Sequence, residues 1–208
     1  MNYRFHDGHP FHPIRLELTM DLLRELGALT PQQMHLSRPA TDEELLWIHQ
    51  PAYLEAVKQL SRPSPEADWI TRGEQFGLLD EDTPYFPGMH DAAAWVVGGT
   101  ITAVEAVLSG SSTHALHLGG GLHHALSARA AGFCVYNDAR WPSTMPAVIT
   151  ARACCTSTRT STTETGSSGA SIRTLMCAPI PSMRRANTCS RAPASCRSEA
   201  SIKVMALA

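Results

Sequence analysis

No unbroken apolar run in this chain approaches the eighteen or so residues of a membrane span. No apolar segment follows Met1-Asn2-Tyr3-Arg4 as it would in a secretory leader. An excess of one charge is missing as well: 17 Lys and Arg face 19 Asp and Glu, a formal charge of −2. That balance gives no global pull toward nucleic acid or an anionic membrane. The six cysteines never fall in a C-x-x-C spacing. Without a secretion signal they do not read as a disulfide framework. The expected location is the cytoplasm. With 208 residues, 43% of them hydrophobic, one domain with a real core is expected.

A second scarcity is local. After Asp138 there is no further Asp, Phe or Tyr, and Ser, Thr, Arg, Ala and Cys take over. Five cysteines (Cys154, Cys155, Cys177, Cys189 and Cys196) fall in this part, while Cys134 stands alone before it. Neither helix nor strand periodicity shows between Ala151 and Arg173, which reads as an unstructured segment. A basic, nucleic-acid-binding tail is another reading. It lacks the dense charge block and interleaved aromatics that such tails use.

Before Asp138 the pattern is regular. Ile14, Leu18, Leu22 and Leu26 recur every four residues, an amphipathic helix with Gly27 as its stop. Thr41-Asp42-Glu43-Glu44 is a capping box opening a second helix, with Leu45, Leu46 and Ile48 on its buried side. Pro51 ends or kinks that segment, and Tyr53, Leu54, Val57 and Leu60 continue an apolar stripe. Ser61 to Pro65 is a connector, and Trp69 to Leu79 has no clear period. Met89 to Leu108 reads as a helix in spite of Gly98-Gly99. Two glycines there cost about 1 kcal/mol each relative to alanine, so close packing against a neighbour is the expected compensation. His6, His9 and His12 share a turn-rich loop, but Gly8, Pro10 and Pro13 deny it the regular helix face a metal site would use.

The chemistry concentrates farther on. The run Thr113 to Leu118 reads as a buried strand, with His114 and His117 on opposite faces as structural residues. It ends in Gly119-Gly120-Gly121-Leu122-His123-His124-Ala125, followed by Gly132-Phe133-Cys134-Val135-Tyr136-Asn137-Asp138. Glycines at the carboxyl edge of an open α/β sheet let a ligand approach the main chain. Two imidazoles just beyond are placed to exchange protons with it. A capped loop carrying two solvated histidines is the plainer alternative.

These two segments together resemble the signature of the zinc-dependent histone deacetylase superfamily, which includes acetoin-utilisation and acetylpolyamine types. Upstream pieces agree in order: Asp7-Gly8-His9-Pro10 with Pro13-Ile14-Arg15, and Glu43-Glu44-Leu45 with Ile48-His49, Pro51 and Tyr53. Glu81-Asp82-Thr83-Pro84 with Phe86-Pro87-Gly88 follows. The resemblance covers Tyr3 to Asp138. It implies an α/β fold, a three-layer open parallel sheet flanked by helices of the arginase/deacetylase type, incomplete in this chain. Residues 1–138 would be the N-terminal part of the deacetylase domain and 139–208 a tail outside it.

The resemblance further implies that His123 and His124 are the tandem pair, the second as general base and the first as its electrostatic support. Asp82 takes the place of the rim aspartate that binds substrate. Gly132, Phe133 and Gly121 would line the slot for the acyl arm, and Arg15 would face an internal cavity. Substrates would be an acetylated protein or a small acetyl-amine. Zn²⁺ is the family's cofactor, held by an Asp and a His of a D-x-D-x-H-H-G-D-G segment and by a later Asp. Neither that segment nor the tyrosine that assists the metal is present as written. No metal ligand is assigned here, and this chain is expected neither to bind zinc nor to turn over substrate. Helices lacking the later strands would expose apolar faces, so the chain is expected to aggregate or stay partly molten.

The missing segment is recoverable. When codons are read from the third base of each triplet, Thr160 to Ser167 can encode V-H-H-G-D-G-V. A window from Ala153 to Gly169 spells V-L-Y-V-D-A-D-V-H-H-G-D-G-V-Q-W. From Met183 the same register yields H-E-T-G-E-Y-L-F-P-G-T-G. The tail is therefore expected to be translated out of frame, with the slip near Asp138 to Trp141. Two readings compete with a damaged deacetylase: a non-catalytic acyl-lysine binding module, and a basic-tailed nucleic-acid binder. Membrane and nucleic-acid partners are not expected.

Overall fold

The first long helix, α1 (Ile14–Glu25), ends as its sequence demands. Gly27 adopts φ +66°, its N–H donates to the Arg24 carbonyl, and the Ala28 N–H reaches back to that of Leu23. That double closure satisfies carbonyls a helix end otherwise leaves unpaired. The chain is described by a computed structural model for residues 3–141 and for the backbone of 202–206. The remaining elements are β1 (Met34–Leu36), α2 (Asp42–Leu45), α3 (Pro51–Leu60), α4 (Ala67–Gly73), α5 (Met89–Leu108), β2 (His114–His117) and β3 (Ile202–Ala206).

The capping box at α2 forms: the Thr41 hydroxyl accepts from the Glu44 N–H at 3.3 Å, and the Glu44 carboxylate accepts from the Thr41 N–H at 2.8 Å. Pro51 does not bend this helix; it starts a new one, occupying the first turn of α3, where a missing N–H costs nothing. Tyr53, Leu54, Val57 and Leu60 are buried as expected. Leu46 is exposed, contrary to expectation, because α2 is a single turn and offers only Leu45 to the core. The stretch without period contains α4 and a 3-10 turn, Glu74–Phe76.

The core forms around α5, with Met89, Val96, Val97, Ile101 and Val104 buried. By length and composition α5 is apolar enough to cross a membrane, yet most of it is buried inside the protein as a core helix. Its two glycines are close-approach positions. A β-carbon on Gly98 would lie 1.8 Å from the Arg38 carbonyl oxygen, and one on Gly99 would lie 2.4 Å from the His117 ring.

The sheet is parallel throughout, in the order β1-β3-β2. β1 and β3 are elements that no sequence pattern announced. β3 comes from the tail expected to be unstructured; residues 142–201 and 207–208 of that tail lie outside the described residues. The sheet's two faces differ. His117 meets α5, so Leu116 points the other way, and Met34 joins it because both pair with Val204. On that second face Leu36 is 77% exposed and Leu116 is exposed as well. α1 leans over this side without burying any residue, and Ile14, Leu18, Leu22 and Leu26 are all exposed.

Candidate active site

β2 delivers the chain into the glycine turn, and the segment after it folds back to hold that turn. Gly121 takes φ +90°. Its N–H donates to both oxygens of the Asp138 carboxylate, at 3.1 and 2.9 Å, and the Leu122 N–H donates to Oδ1 at 2.6 Å. Thr100 of α5 donates its hydroxyl to Oδ2 at 2.5 Å. With these donors a carboxylate only 1% exposed is compensated rather than stranded. Asn137 grips the other side of the turn. Its Nδ2 donates to the carbonyls of His123 at 2.9 Å and Ala125 at 2.8 Å.

The tandem imidazoles stand on this clamped turn with ring centroids 4.2 Å apart. His123 is half-buried and His124 exposed. His123 Nδ1 donates to the Gly121 carbonyl at 2.9 Å, which fixes a proton on Nδ1. His124 lies against Gly132, where a β-carbon would meet its ring at 2.9 Å. No larger residue fits at Gly132 without displacing that imidazole.

Phe133 is held in a conformation rare for a side-chain-bearing residue, φ +69°. Its N–H donates to the Thr83 hydroxyl at 3.0 Å and its carbonyl accepts from the Tyr3 hydroxyl at 2.8 Å. The Tyr3 oxygen also accepts from Val135 N–H at 3.0 Å, and Tyr53 donates to the Val135 carbonyl at 2.6 Å. Three buried hydroxyls thus fix the backbone on which Phe133 stands. The exposed residue Asp82 precedes Thr83, and His9 Nε2 donates to its carbonyl at 3.2 Å. The His9 ring also packs edge-on to Phe133 at 5.0 Å. The histidine loop at the N-terminus is therefore a strut between the rim and the Phe133 wall.

Arg15 lines a cavity of about 490 Å³ between α1 and the sheet, bounded also by Gly119, Gly120 and Leu122. Neither His123 nor His124 borders it. Burial pushes the Cys134 thiol up to about 12, so it is no nucleophile. His49, buried beneath the site, accepts from Asn137 N–H at 3.1 Å, and burial holds its imidazole down at about 4. Among the described residues no group of three or more His, Cys, Asp or Glu side chains is arranged to hold a metal ion.

The structure brings His123, His124, Gly121 and Gly132 together and places Phe133 beside the loop carrying Asp82. The roles of Asn137, Asp138, Thr100, Thr83 and Tyr3 were not legible in the sequence. Asn137 and Asp138 closed the second glycine-led segment, but their side chains clamp residues 12 to 38 positions away, which no local pattern announces.

Residues 9–141 match the histone deacetylase domain model. The chain is 47% identical over 136 residues to the acetoin utilization protein AcuC of Bacillus subtilis, covering 65% of this chain and 34% of that protein. It is 45% identical over 138 residues to AcuC of Staphylococcus aureus and 43% identical over 138 residues to that of Staphylococcus xylosus. In both, 66% of this chain and 35% of the relative are covered. The chain therefore spans about a third of the length of these relatives.

Proposed function

Because the chain belongs to the histone deacetylase family, we propose that His123 and His124 are the proton-transfer pair of an amide hydrolase for acetyl groups on lysine or a polyamine. The observation that carries this reading is the pair itself: adjacent imidazoles 4.2 Å apart, on a turn clamped by Asn137 and Asp138 at the carboxyl end of β2. His124, the more exposed, takes a proton from the attacking water. As an imidazolium it returns one to the departing amine. His123 supports that charge from its neighbouring ring. Gly121, Gly132 and Phe133 form the slot for the acyl arm, with Asp82 at its rim and Arg15 in the cavity behind the glycine turn.

Zinc, where a member of this family binds it, supplies Lewis-acid polarisation and an acidified water. The described residues do not fit it, since an open catalytic zinc site takes three protein donors. We read the tail as translated out of register and place the missing donors in the other register, within D-A-D-V-H-H-G-D-G. The same continuation would complete a three-layer sheet. Parallel sheets are covered on both faces, and here the face bearing Leu36 and Leu116 is open. The domain part then ends near Asp138, and the product of this exact sequence is inactive.

The test compares the chain as written with the product of a gene carrying one added nucleotide between the codons of Asp138 and Ala153. The first should hold no stoichiometric zinc and release no acetate from acetyl-lysine peptides or acetylpolyamines. The second should do both. Turnover with one bound zinc in the first, or neither property in the second, sinks the reading. Acetyl-lysine affinity in the first without zinc would favour a non-catalytic acyl-lysine module built on the same slot.

A further inference from the structure

We propose that His9 is a positioning residue that sets where Asp82 stands against Phe133, and so how firmly a substrate is gripped at the mouth of the slot. The proposal rests on the functional reading only in taking Asp82 and Phe133 as the rim and wall of that slot. Both nitrogens of the buried His9 ring are committed. The Phe11 N–H donates to Nδ1 at 3.0 Å, so the neutral ring carries its proton on Nε2, which donates to the Asp82 carbonyl at 3.2 Å. That carbonyl shares a peptide unit with the Thr83 N–H, which donates to the Asp80 carbonyl at 3.1 Å. The peptide plane that follows Asp82 is thus pinned at both ends, while the Asp82 side chain stays exposed.

The brace is closed on its far side. The Thr83 hydroxyl accepts from the Phe133 N–H at 3.0 Å, and the Phe133 ring meets the His9 ring edge-on at 5.0 Å. His9, Asp82, Thr83 and Phe133 therefore form a circuit that joins the rim to the slot wall. The imidazole also packs on Phe5, with ring centroids 4.3 Å apart, which ties the circuit to the aromatic core. A side chain that lacks a donor in the place of Nε2 opens the circuit, and Asp82 is then no longer held at a fixed place relative to Phe133. A substrate that touches both loses affinity, whereas the protons moved by His123 and His124 are untouched. Such a loss, equal in the ground and transition states, raises KM and leaves kcat unchanged.

Two substitutions divide the bonds of the ring between them. His9→Asn puts an amide oxygen in the place of Nδ1 and keeps the Phe11 bond, as an Asx turn does, but is too short to reach Asp82. His9→Gln carries its amide out to the place of Nε2 and keeps the Asp82 bond. The experiment is hydrogen–deuterium exchange at the Thr83 and Phe133 amides, on the full chain as written and on the register-restored product. In the wild type both amides should be protected, and His9→Asn should speed their exchange about fivefold or more, with His9→Gln within about twofold of wild type. In the register-restored product the KM for an acetyl-lysine peptide should follow the same order, several-fold higher in His9→Asn at unchanged kcat and near wild type in His9→Gln. Wild-type amides without protection in either product would overturn the proposal. So would unchanged exchange in His9→Asn, exchange in His9→Gln as fast as in His9→Asn, or a lowered kcat at unchanged KM. If His9→Asn does not fold, the wild-type protection and the behaviour of His9→Gln decide. A register-restored product without turnover sinks the hydrolase reading and leaves the exchange rates to judge the brace, so the two failures are separately visible.

Discussion

At the scale of single residues, the wall of the site is held by the buried hydroxyls of Tyr3, Tyr53 and Thr83, each of which has a partner. Tyr53 is fully buried and its hydroxyl serves the Val135 carbonyl. Tyr53→Phe leaves that carbonyl unsatisfied and should cost about 1–3 kcal/mol in a denaturant titration. His49 makes a different prediction. Its imidazole is neutral when folded, held down at about 4 by burial, whereas an unfolded histidine titrates near 6.5. Between those values the unfolded chain binds the extra proton, so stability falls as pH drops from about 6.5 toward 4. Burial lowers His90 and His117 in the same direction. A thermal-melt series from pH 7.5 to 4 should show a declining midpoint, and His49→Gln should flatten part of it. A midpoint that rises on acidification would contradict this burial.

At the scale of elements, Gly98 sets two effects of opposite sign against each other. In an exposed helix, Gly→Ala stabilises by about 1 kcal/mol. Here the new β-carbon would press into the Arg38 carbonyl, and overpacking typically costs about 1–3 kcal/mol. Gly98→Ala should therefore lower the melting midpoint, and a rise would show that α5 and the Arg38 segment are not in contact. This close packing was legible, because a Gly-Gly pair inside an apolar helix needs a reason. The helical character of α1, α3 and α5, the capping box and the Gly27 stop were legible too, since each is a local signal, whereas α4 lay in a stretch without a period. The α1 stripe misled: its period is helical, but period does not say what covers the apolar face. Leu16, Met20 and Leu23 are the half-buried side, and the Ile14 to Leu26 row faces outward. β1 is only three residues long, too short for alternation to register.

At the scale of the whole molecule, the glycine turn and tandem histidines stood out in sequence because they are contiguous. The clamp around them did not, because Tyr3, Thr83, Thr100 and Asp138 meet only after folding. The open sheet face belongs to this scale as well. Leu36, Leu116 and the outward row of α1 leave apolar surface uncovered on one side of a parallel sheet. The chain as written should bind a hydrophobic dye such as ANS strongly, and the register-restored product should bind it several-fold less. Equal dye binding by the two would mean that the continuation does not cover this face.

The most direct measurement is the nucleotide sequence of the gene from the codon of Ala153 to that of Gly169. If the metal donors lie in the other register, the third bases of Ser157 and Arg159 are G, giving both aspartates of D-A-D, and Ser167 is a TCN triplet. The third bases of Ser161 and Thr162 are then C, and those of Thr163, Glu164, Thr165 and Gly166 are G, spelling H-H-G-D-G-V. Third bases that break this string would show that no such site is written there.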